Sequence, residues 1–194
     1  MSNIILVSGF KRAGKDTISS MIAIALAKFG KSSKIRSFAE PMKFIGATAL
    51  NINLEQLDTF KNNPDRYKLQ IIDTHSSGLV HVTNCRSYLQ QLGTEATKPV
   101  FGEEVWADLL YSRASRAFVD YVIVPDFRFI AEYRKPAIVI RVESNMASTG
   151  DLHSSETELL GFPFDYTLNN DDYQITQTHI DNFVEGLLRN NHES

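Results

Sequence analysis

Ile4-Ile-Leu-Val7 and, after Ser8, Gly9-Phe-Lys-Arg-Ala-Gly-Lys-Asp-Thr17 form the stretch that decides the fold. The apolar run predicts a short buried strand, and the apolar spacing from Ile18 to Phe29 predicts a helix directly after the loop. Two glycines five residues apart, with a lysine after the second, form the skeleton of a phosphate-binding loop (P-loop). In such a loop, backbone N–H groups and the helix N-terminus face a polyphosphate. We predict a nucleoside triphosphate site formed by Gly9, Lys11, Ala13, Gly14, Lys15, Asp16 and Thr17.

One position of this loop departs from the common form. Asp16 occupies the place where Ser or Thr usually holds Mg²⁺, and Thr17 follows one residue later. We interpret Asp16 as an indirect partner of the metal, which it holds through water. Lys15 is the residue that reaches the β- and γ-phosphates.

The composition indicates one soluble globular domain that covers residues 1–194. Of the residues, 43% are hydrophobic and 22% charged, and the net charge of -3 gives no reason to expect polymeric nucleic acid as a partner. The single cysteine, Cys85, excludes an internal disulfide. No segment approaches the ~20 apolar residues of a membrane span, and no secretory signal is evident. We therefore expect a cytoplasmic protein without a membrane partner.

Apolar β-branched runs alternate with helical patterns along the chain, which favours an α/β fold with a parallel sheet covered on both faces. The predicted strands are Ile4–Val7, Lys34–Phe38, Tyr121–Val124, Ala137–Val142 and Tyr166–Leu168. The predicted helices are Ile18–Phe29, Ala39–Leu50, Arg86–Leu92, Glu103–Val119 and Ile175–Leu188. A hairpin is predicted for Leu69–Ile72 and Leu79–Thr83, around Ser76-Ser77-Gly78. In the helix from Glu103, we expect Trp106, Leu109, Leu110, Ala114 and Ala117 on the buried side.

Polar residues just beyond a strand deserve priority, because ligands of parallel sheets bind at the carboxyl ends of the strands. Asp126 follows the strand that ends at Val124, which is where a P-loop protein places the acid that organises Mg²⁺ through water. The alternative is a helix-capping Asp. Arg128 offers a planar fork of donors to phosphate oxygens. Its alternative is a surface ion pair with Glu132.

A second phosphate-bearing substrate would need further cations, and Arg36, Lys43 and Arg86 each lie near a predicted strand end or helix start. Taken singly, each is as well explained as a solvated surface charge. Gln90, Thr94 and Glu95 surround Gly93 and suit hydrogen bonding to a base or sugar. Trp106 is read either as core or as a stacking platform.

Residues 143–158 form a polar stretch that predicts a lid-like loop, which would exclude water from a transferred group. The stretch carries no arginine, although lids of this kind often do. His153, within it, is interpreted as solvated rather than catalytic, because phosphoryl transfer depends on positioning and charge neutralisation.

Four blocks together resemble the phage-type deoxynucleoside monophosphate kinases. The glycine loop resembles their G-x-K-R-S-G-K-D-T, and Ser37-Phe-Ala-Glu-Pro-Met-Lys43 resembles F-A-D-P-L-K. Arg86-Ser-Tyr-Leu-Gln-Gln-Leu-Gly-Thr-Glu95, with Trp106 downstream, is similar to R-x-L-L-Q-x-L-G-T-E. Asp126-Phe-Arg-Phe-Ile-Ala-Glu132 resembles D-V-R-F-P-N-E, although Ile130-Ala131 replaces its P-N. The blocks span residues 9–132, and the third is the most specific.

The resemblance implies a P-loop nucleoside monophosphate kinase fold, with a five-stranded parallel sheet and mobile substrate-binding and lid segments. It implies transfer of the γ-phosphoryl group of ATP, with Mg²⁺, to a deoxynucleoside 5′-monophosphate. The region of about 40–118 would bind the monophosphate. The acceptor residues would be Phe38, Lys43, Arg86, Gln90, Gly93, Thr94, Glu95 and Trp106. Asp126 and Arg128 would lie between the two phosphates, and Arg12, Arg113 or Arg116 are candidates to replace the missing lid arginines.

Two alternatives stay open at this point. Phosphomevalonate kinases of the animal type also carry a K-R-x-S-G-K-D loop, an S-x-P-x-K segment and a D-x-R strand end. A P-loop regulatory protein would bind nucleotide without a second substrate, although the chain has no N-K-x-D-type guanine-reading sequence. The implied location is the cytoplasm, that of the host cell if the gene is phage-encoded. The sequence allows a homodimer.

Overall fold

The computed structural model describes residues 2–72, 80–147 and 158–190. These residues form two compact units, one built from Met1–Phe38 with Ala107–Ser194 and the other from Ala39–Trp106. Each unit has its own sheet and its own hydrophobic cluster. Within the described ranges, we find no helix whose length and apolar character would let it span a bilayer.

The elements follow one another as strands and helices in the alternation that the sequence predicts. In chain order they are β1 (Asn3–Ser8), α1 (Lys15–Lys28), β2 (Ser33–Ile35), α2 (Glu40–Ala49), α3 (Leu54–Asn62), β3 (Lys68–Ile72), β4 (Val80–Asn84), α4 (Cys85–Gln90), a π-helical turn (Gln91–Ala96), α5 (Lys98–Phe101), α6 (Val105–Ala114), β5 (Tyr121–Val124), a 3₁₀ turn (Ile130–Glu132), β6 (Ile138–Glu143), β7 (Tyr166–Asn169) and α7 (Tyr173–Asn190).

The first unit contains a five-stranded sheet in the order β2-β5-β1-β6-β7, and all of its strand pairs are parallel. β1 lies at the centre between β5 and β6. The chain leaves β1 towards β2 on one side of the sheet and later crosses to β6 and β7 on the other. Because ligands of open parallel sheets bind at such a switch point, the loop after β1 occupies the favoured position.

Successive side chains of β1 point to opposite faces of the sheet, as in any strand, and both faces are buried. Ile5 and Val7 pack in a cluster with side chains of α1 and α7, whereas Leu6 packs with side chains of α6 and with Phe127. The helices therefore cover both faces, and the predicted three-layer α/β fold with a five-stranded parallel sheet is confirmed.

The second unit is built from short helices around the β3–β4 hairpin. Its strands pair antiparallel, with Ile72 opposite Val80, which confirms the predicted hairpin; its tip at Ser76–Gly78 lies outside the described residues. Helix α3, in a region that the sequence marks only as polar, begins with a capping box in which Asn53 and Gln56 exchange hydrogen bonds. Leu57 and Leu89 pack with the buried Cys85.

Three of the predicted elements differ in detail from the structure. β2 ends at Ile35 rather than Phe38, because Ser37 and Phe38 turn away to bind Asp126. Helix α6 spans only Val105–Ala114, and its Leu109 is 39% exposed, so the prediction that Leu109 is buried was wrong. Helix α4 ends at Gln90, where the π-helical turn begins.

Candidate active site

The glycine loop connects β1 directly to α1, which is the strand–loop–helix arrangement that a phosphate-binding loop requires. The amide N–H of Ala13 donates to the carbonyl of Phe10 at 3.1 Å, which closes a tight turn, and the Ala13 side chain is fully buried. Nζ of Lys15 donates to the carbonyls of Gly9 at 2.6 Å and Phe10 at 2.9 Å. The ammonium group therefore lies against the loop itself.

Both loop glycines are required by backbone geometry. Gly9 has φ +154°, and a Cβ there would lie 2.4 Å from the carbonyl oxygen of Val142 on β6. Gly14 has φ +87°, and a Cβ there would lie 2.1 Å from Nδ2 of Asn170. No side chain fits either position without displacing a neighbour.

Asn170 supports the loop and is not among the residues predicted from the sequence. It follows the last strand of the sheet, and its Nδ2 donates to the carbonyl of Ala13 at 3.0 Å, while its backbone N–H donates to the carbonyl of Glu143 at 2.8 Å. The rule that polar residues beyond a strand end face the ligand edge could have found it, since Asn170 comes just after the predicted strand Tyr166–Leu168.

The start of α1 has the features of an anion site. Gly14 is its N-cap and supplies no side-chain cap, so the N-terminal amides of the helix are not satisfied in that way. Asp16 and Thr17 are exposed in the first turn, and Lys11 and Arg12 are exposed on the loop. Arg12 has φ +68°, a conformation that is uncommon for a residue with a side chain and that recurs at ligand sites.

Asp126 lies at the end of β5, the strand next to β1. Its Oδ2 accepts a hydrogen bond from Oγ of Ser37 at 2.6 Å, and its Oδ1 accepts one from the backbone N–H of Phe38 at 3.0 Å. Phe38 contributes this N–H, whereas its ring is buried among apolar side chains. These two hydrogen bonds hold the Asp126 carboxylate in place.

The segment after Asp126 is held by Glu132. Oε2 of Glu132 accepts hydrogen bonds from the backbone N–H groups of Arg128 at 2.8 Å and Phe129 at 3.0 Å. Burial raises the pKa of Glu132 to about 8 against the effect of these two bonds, and the nearby charge of Asp126 raises it further. Glu132 thus fixes the backbone that presents the exposed side chain of Arg128.

In the second unit, Lys43 takes part in a charge cluster with Asp58. Nζ of Lys43 donates to Oδ1 of Asp58 at 3.0 Å, and Nζ of Lys61 lies 3.3 Å from the same oxygen. Burial acts to raise the pKa of Asp58, but the bonds to Lys43 and then Lys61 outweigh it and lower the pKa. One carboxylate thus serves two ammonium groups, and an anionic ligand could relieve that imbalance.

The segment from Arg86 to Glu95 presents polar side chains on a helical frame. Arg86 and Gln90 are exposed and four residues apart on α4, so they share one face. Thr94 and Glu95 are exposed on the π-helical turn, a conformation that is rare and frequent at functional sites.

Gly93 and Trp106 hold this turn in place. A Cβ on Gly93 would lie 2.3 Å from Sδ of Met42, and its carbonyl accepts a hydrogen bond from the buried indole Nε1 of Trp106 at 2.9 Å. Trp106 is 9% exposed, so in this structure its ring belongs to the core.

The structure places some predicted cations elsewhere. Arg36, Arg113 and Arg116 line a cavity together with Lys34, and no residue of the Gly9–Thr17 loop lines that cavity. Of the lid-like stretch at residues 143–158, residues 148–157 lie outside the described ranges.

The donor set at the loop fits Mg²⁺ bound mainly through phosphates. In the described part of the chain, no cluster of three or more His, Cys, Asp or Glu side chains could hold a metal by itself. Mg²⁺ needs no such cluster, because it commonly keeps several waters and takes one or two carboxylates with substrate phosphates. Asp126 and Asp16 carry carboxylate oxygens, the type of ligand that this mode of binding uses.

Neither a protein-family model nor a curated protein matches the sequence. Among solved structures, the chain is similar to cobyrinic acid a,c-diamide synthase from Mycobacterium smegmatis with bound ADP and magnesium, at 16% identity over 96% of this chain and 82% of that one, with a TM-score of 0.45. It is similar to a putative plasmid partition protein from Borrelia burgdorferi B31 bound to AMPPNP, at 13% identity over 98% and 100% of the two chains, with a TM-score of 0.45. These similarities are weak. The loop and the parallel sheet themselves define the first unit as a P-loop α/β fold.

Proposed function

We propose that this protein is a kinase that transfers the γ-phosphoryl group of ATP, with Mg²⁺, to a deoxynucleoside 5′-monophosphate. The observation that carries the proposal is the loop: its two glycines admit no side chain, and Lys15 lies against its carbonyls at the N-terminus of α1. The resemblance of the Arg86–Glu95 block supports the choice of acceptor.

The loop would bind the triphosphate of ATP. Incoming phosphate oxygens would draw Lys15 from the carbonyls of Gly9 and Phe10, because a charged acceptor makes the stronger hydrogen bond. The amides at the start of α1 would add donors and the positive end of the helix dipole. Arg12, exposed on the loop, would add charge as the transferring group passes between donor and acceptor.

The metal would be held at Asp126 and Asp16 through water. When bound, Mg²⁺ neutralises phosphate charge and orients the transferring group. Ser37 and the N–H of Phe38 would fix the Asp126 carboxylate, and Glu132 would fix the backbone that carries Arg128. The guanidinium of Arg128 could then meet phosphate oxygens in a bidentate manner.

The second unit would carry the acceptor. Arg86 would pair with the 5′-phosphate, and Lys43, from the Ser37–Lys43 block, would be a second cation for it. Gln90, Thr94 and Glu95 would make hydrogen bonds to the base or sugar, with Gly93 and Trp106 holding their backbone. A site that supplies hydrogen-bond partners for a base and sugar discriminates strongly in favour of them. An isoprenoid acid would not need such partners, so these polar residues favour a nucleotide acceptor.

A coupled kinase assay tests the proposal directly. Each common ribo- and deoxynucleoside monophosphate is offered with ATP and Mg²⁺, and phosphomevalonate is included. Turnover of at least one deoxynucleoside monophosphate is expected. Turnover of phosphomevalonate alone would replace the proposal with the isoprenoid alternative, and ATP binding without any acceptor would favour a regulatory P-loop protein.

Replacing Lys15 tests the donor half. Lys15→Met should abolish turnover, while the unfolding transition stays close to that of the parent. Lys28→Met is the matched control, because it removes the same charge from the opposite end of the same helix, where Lys28 pairs with Asp181. Near-normal kcat in Lys15→Met would refute the phosphate assignment.

Replacing Arg86 tests the acceptor half. Arg86→Ala should raise the KM for the monophosphate at least about tenfold, the value of one lost charge-assisted hydrogen bond, with little change in the KM for ATP. Arg66→Ala, at an exposed cation of the same unit, should leave both KM values unchanged. An unchanged monophosphate KM in Arg86→Ala would move the acceptor site elsewhere.

A further inference from the structure

A cationic cavity of about 560 Å³ lies in the first unit beside Phe118. Its charged lining consists of Lys34, Arg36, Arg113 and Arg116, and none of the described residues that line it is acidic. Its volume falls within the range of small-molecule sites. The chain as a whole carries a net charge of -3, so this concentration of positive charge is local.

Two neighbouring elements bring these cations together. β2 is an edge strand, which carries Lys34, and the backbone N–H of Arg36 continues its pairing by donating to the carbonyl of Ile123 at 2.9 Å. Arg113 lies in the last turn of α6, and Arg116 follows in the turn after it. All four cations line one cavity, so an anion bound there would gain favourable charge interactions with them.

Beside this cavity lies a second, of about 710 Å³, which shares with it the lining residues Arg116, Ala117, Phe118 and Val119. The ring of Phe118 is fully exposed and lines both cavities. Ser115 and Asp120 line the second cavity. The Asp120 carboxylate accepts hydrogen bonds from Oγ and the backbone N–H of Ser32, both at 2.7 Å, and these bonds lower its pKa.

We propose that the two cavities form a second ligand site, distinct from the glycine loop, that binds a nucleotide. The phosphates lie among Lys34, Arg36, Arg113 and Arg116, where planar guanidinium groups match phosphate oxygens. The base stacks on Phe118, since every base offers a face to an aromatic ring. The carboxylate of Asp120 repels phosphate and accepts from ring amino or hydroxyl groups, which fixes the direction in which the ligand lies.

The Phe118→Trp variant gives a direct measurement at this site. The parent chain contains one tryptophan, Trp106, and serves as the blank. Titration of Phe118→Trp with ADP should quench the new emission saturably, and it should do so equally when Lys15→Met is added, because Lys15 belongs to the loop. The ADP titration can therefore succeed even if the kinase proposal fails, and the kinase proposal can hold even if the titration shows no binding at Phe118.

The arginines provide the discriminating variants. Arg113→Ala and Arg116→Ala, each in the Phe118→Trp chain, should weaken ADP binding at least about tenfold. Arg189→Ala, at an exposed arginine on α7 outside both cavities, should leave it unchanged. Absence of quenching, or quenching that survives loss of both Arg113 and Arg116, would overturn the proposal.

Two further probes separate the phosphate from the base. Inorganic pyrophosphate should displace ADP, and adenosine should bind at least about tenfold more weakly than ADP, because it lacks the charge. A second experiment uses calorimetry and the Lys15→Met chain without the added tryptophan. In that chain, Phe118→Ala should weaken the binding of ADP but not the binding of pyrophosphate. Equal binding of ADP and pyrophosphate, unaffected by Phe118→Ala, would reduce the site to a phosphate site and overturn the assignment to a nucleotide.

Discussion

Replacing Gly14 by Ala should displace the side chain of Asn170 and loosen the glycine loop. The added Cβ would lie 2.1 Å from Nδ2 of Asn170, a contact that requires movement. The Asn170 amide is the end of a side chain and can rotate away, but rotation breaks its hydrogen bond to the carbonyl of Ala13.

The size of the effect follows from two contributions. An alanine at φ +87° costs about 1–2 kcal/mol of backbone strain, and the lost hydrogen bond costs about 1 kcal/mol. Gly14→Ala should therefore lower the free energy of unfolding by about 2–3 kcal/mol. Asn170→Ala alone should cost about 1 kcal/mol, because it removes the same hydrogen bond without the strain.

The double variant separates the two contributions. With Asn170 already replaced, Gly14→Ala should cost only the backbone strain, so the two changes together should cost about 1 kcal/mol less than their sum. Urea unfolding of the four proteins, followed by circular dichroism, measures this coupling. ATP binding, measured by calorimetry, should weaken in all three variants.

Additivity of the two substitutions would refute the reasoning, because it would mean that Asn170 does not contact the loop at Gly14. Asn169→Ala offers a control, since the neighbouring Asn169 donates no described bond to the loop. It should leave ATP affinity close to that of the parent.

Three further predictions concern other supports of the site. Gly9→Ala should abolish ATP binding and cost more than about 2 kcal/mol in urea unfolding, because its Cβ would lie 2.4 Å from the Val142 carbonyl, a backbone atom that cannot rotate away. Trp106→Phe should cost about 1–3 kcal/mol by circular dichroism, since it leaves the Gly93 carbonyl without its 2.9 Å donor, and a cost near zero would contradict that bond. For Glu132, the native pKa of about 8 lies above the ordinary 4.5, so its stabilisation is complete below about pH 4.5 and is lost as the pH rises through about 8. Glu132→Gln should flatten that decline in unfolding free energy by at least about 1.4 kcal/mol, and identical pH profiles would contradict the raised pKa.

The parts of the fold that depend on local pattern were predictable from the sequence. The apolar run Ile4–Val7 predicts a buried strand, and the spacing of the glycines after it predicts a phosphate-binding loop. The parallel sheet follows from the alternation of predicted strands and helices. The strand Tyr121–Val124, and with it the place of Asp126 two residues beyond a strand end, was predictable from the same kind of apolar run; the role of Asp126 stays a prediction.

Other parts depend on contacts between distant segments, which periodicity does not encode. Asn170 meets Ala13 across 157 residues. The strand that precedes Asn170 predicts its place at the ligand edge of the sheet, but nothing in the sequence pairs it with Ala13. Arg36 was considered as a cation for a second phosphate-bearing substrate because it lies near a predicted strand end, and Arg113 was considered as a substitute for the missing lid arginines. The edge position of β2 gathers them instead around Phe118, and the order of strands in a sheet is a tertiary property.

The position of β1 at the centre of the sheet has a consequence for biosynthesis. Both of its neighbours, β5 and β6, and the amide of Asn170 come from the second half of the chain. At about 5–20 residues per second, translation takes roughly 8–30 s to proceed from Ala13 to Asn170. Until β5 has been made, the apolar run Ile4–Val7 has no strand to pair with, because β5 and then β6 are its partners in the sheet. A nascent chain of this protein must therefore keep an aggregation-prone segment covered, and folding chaperones would act on it before the nucleotide site exists.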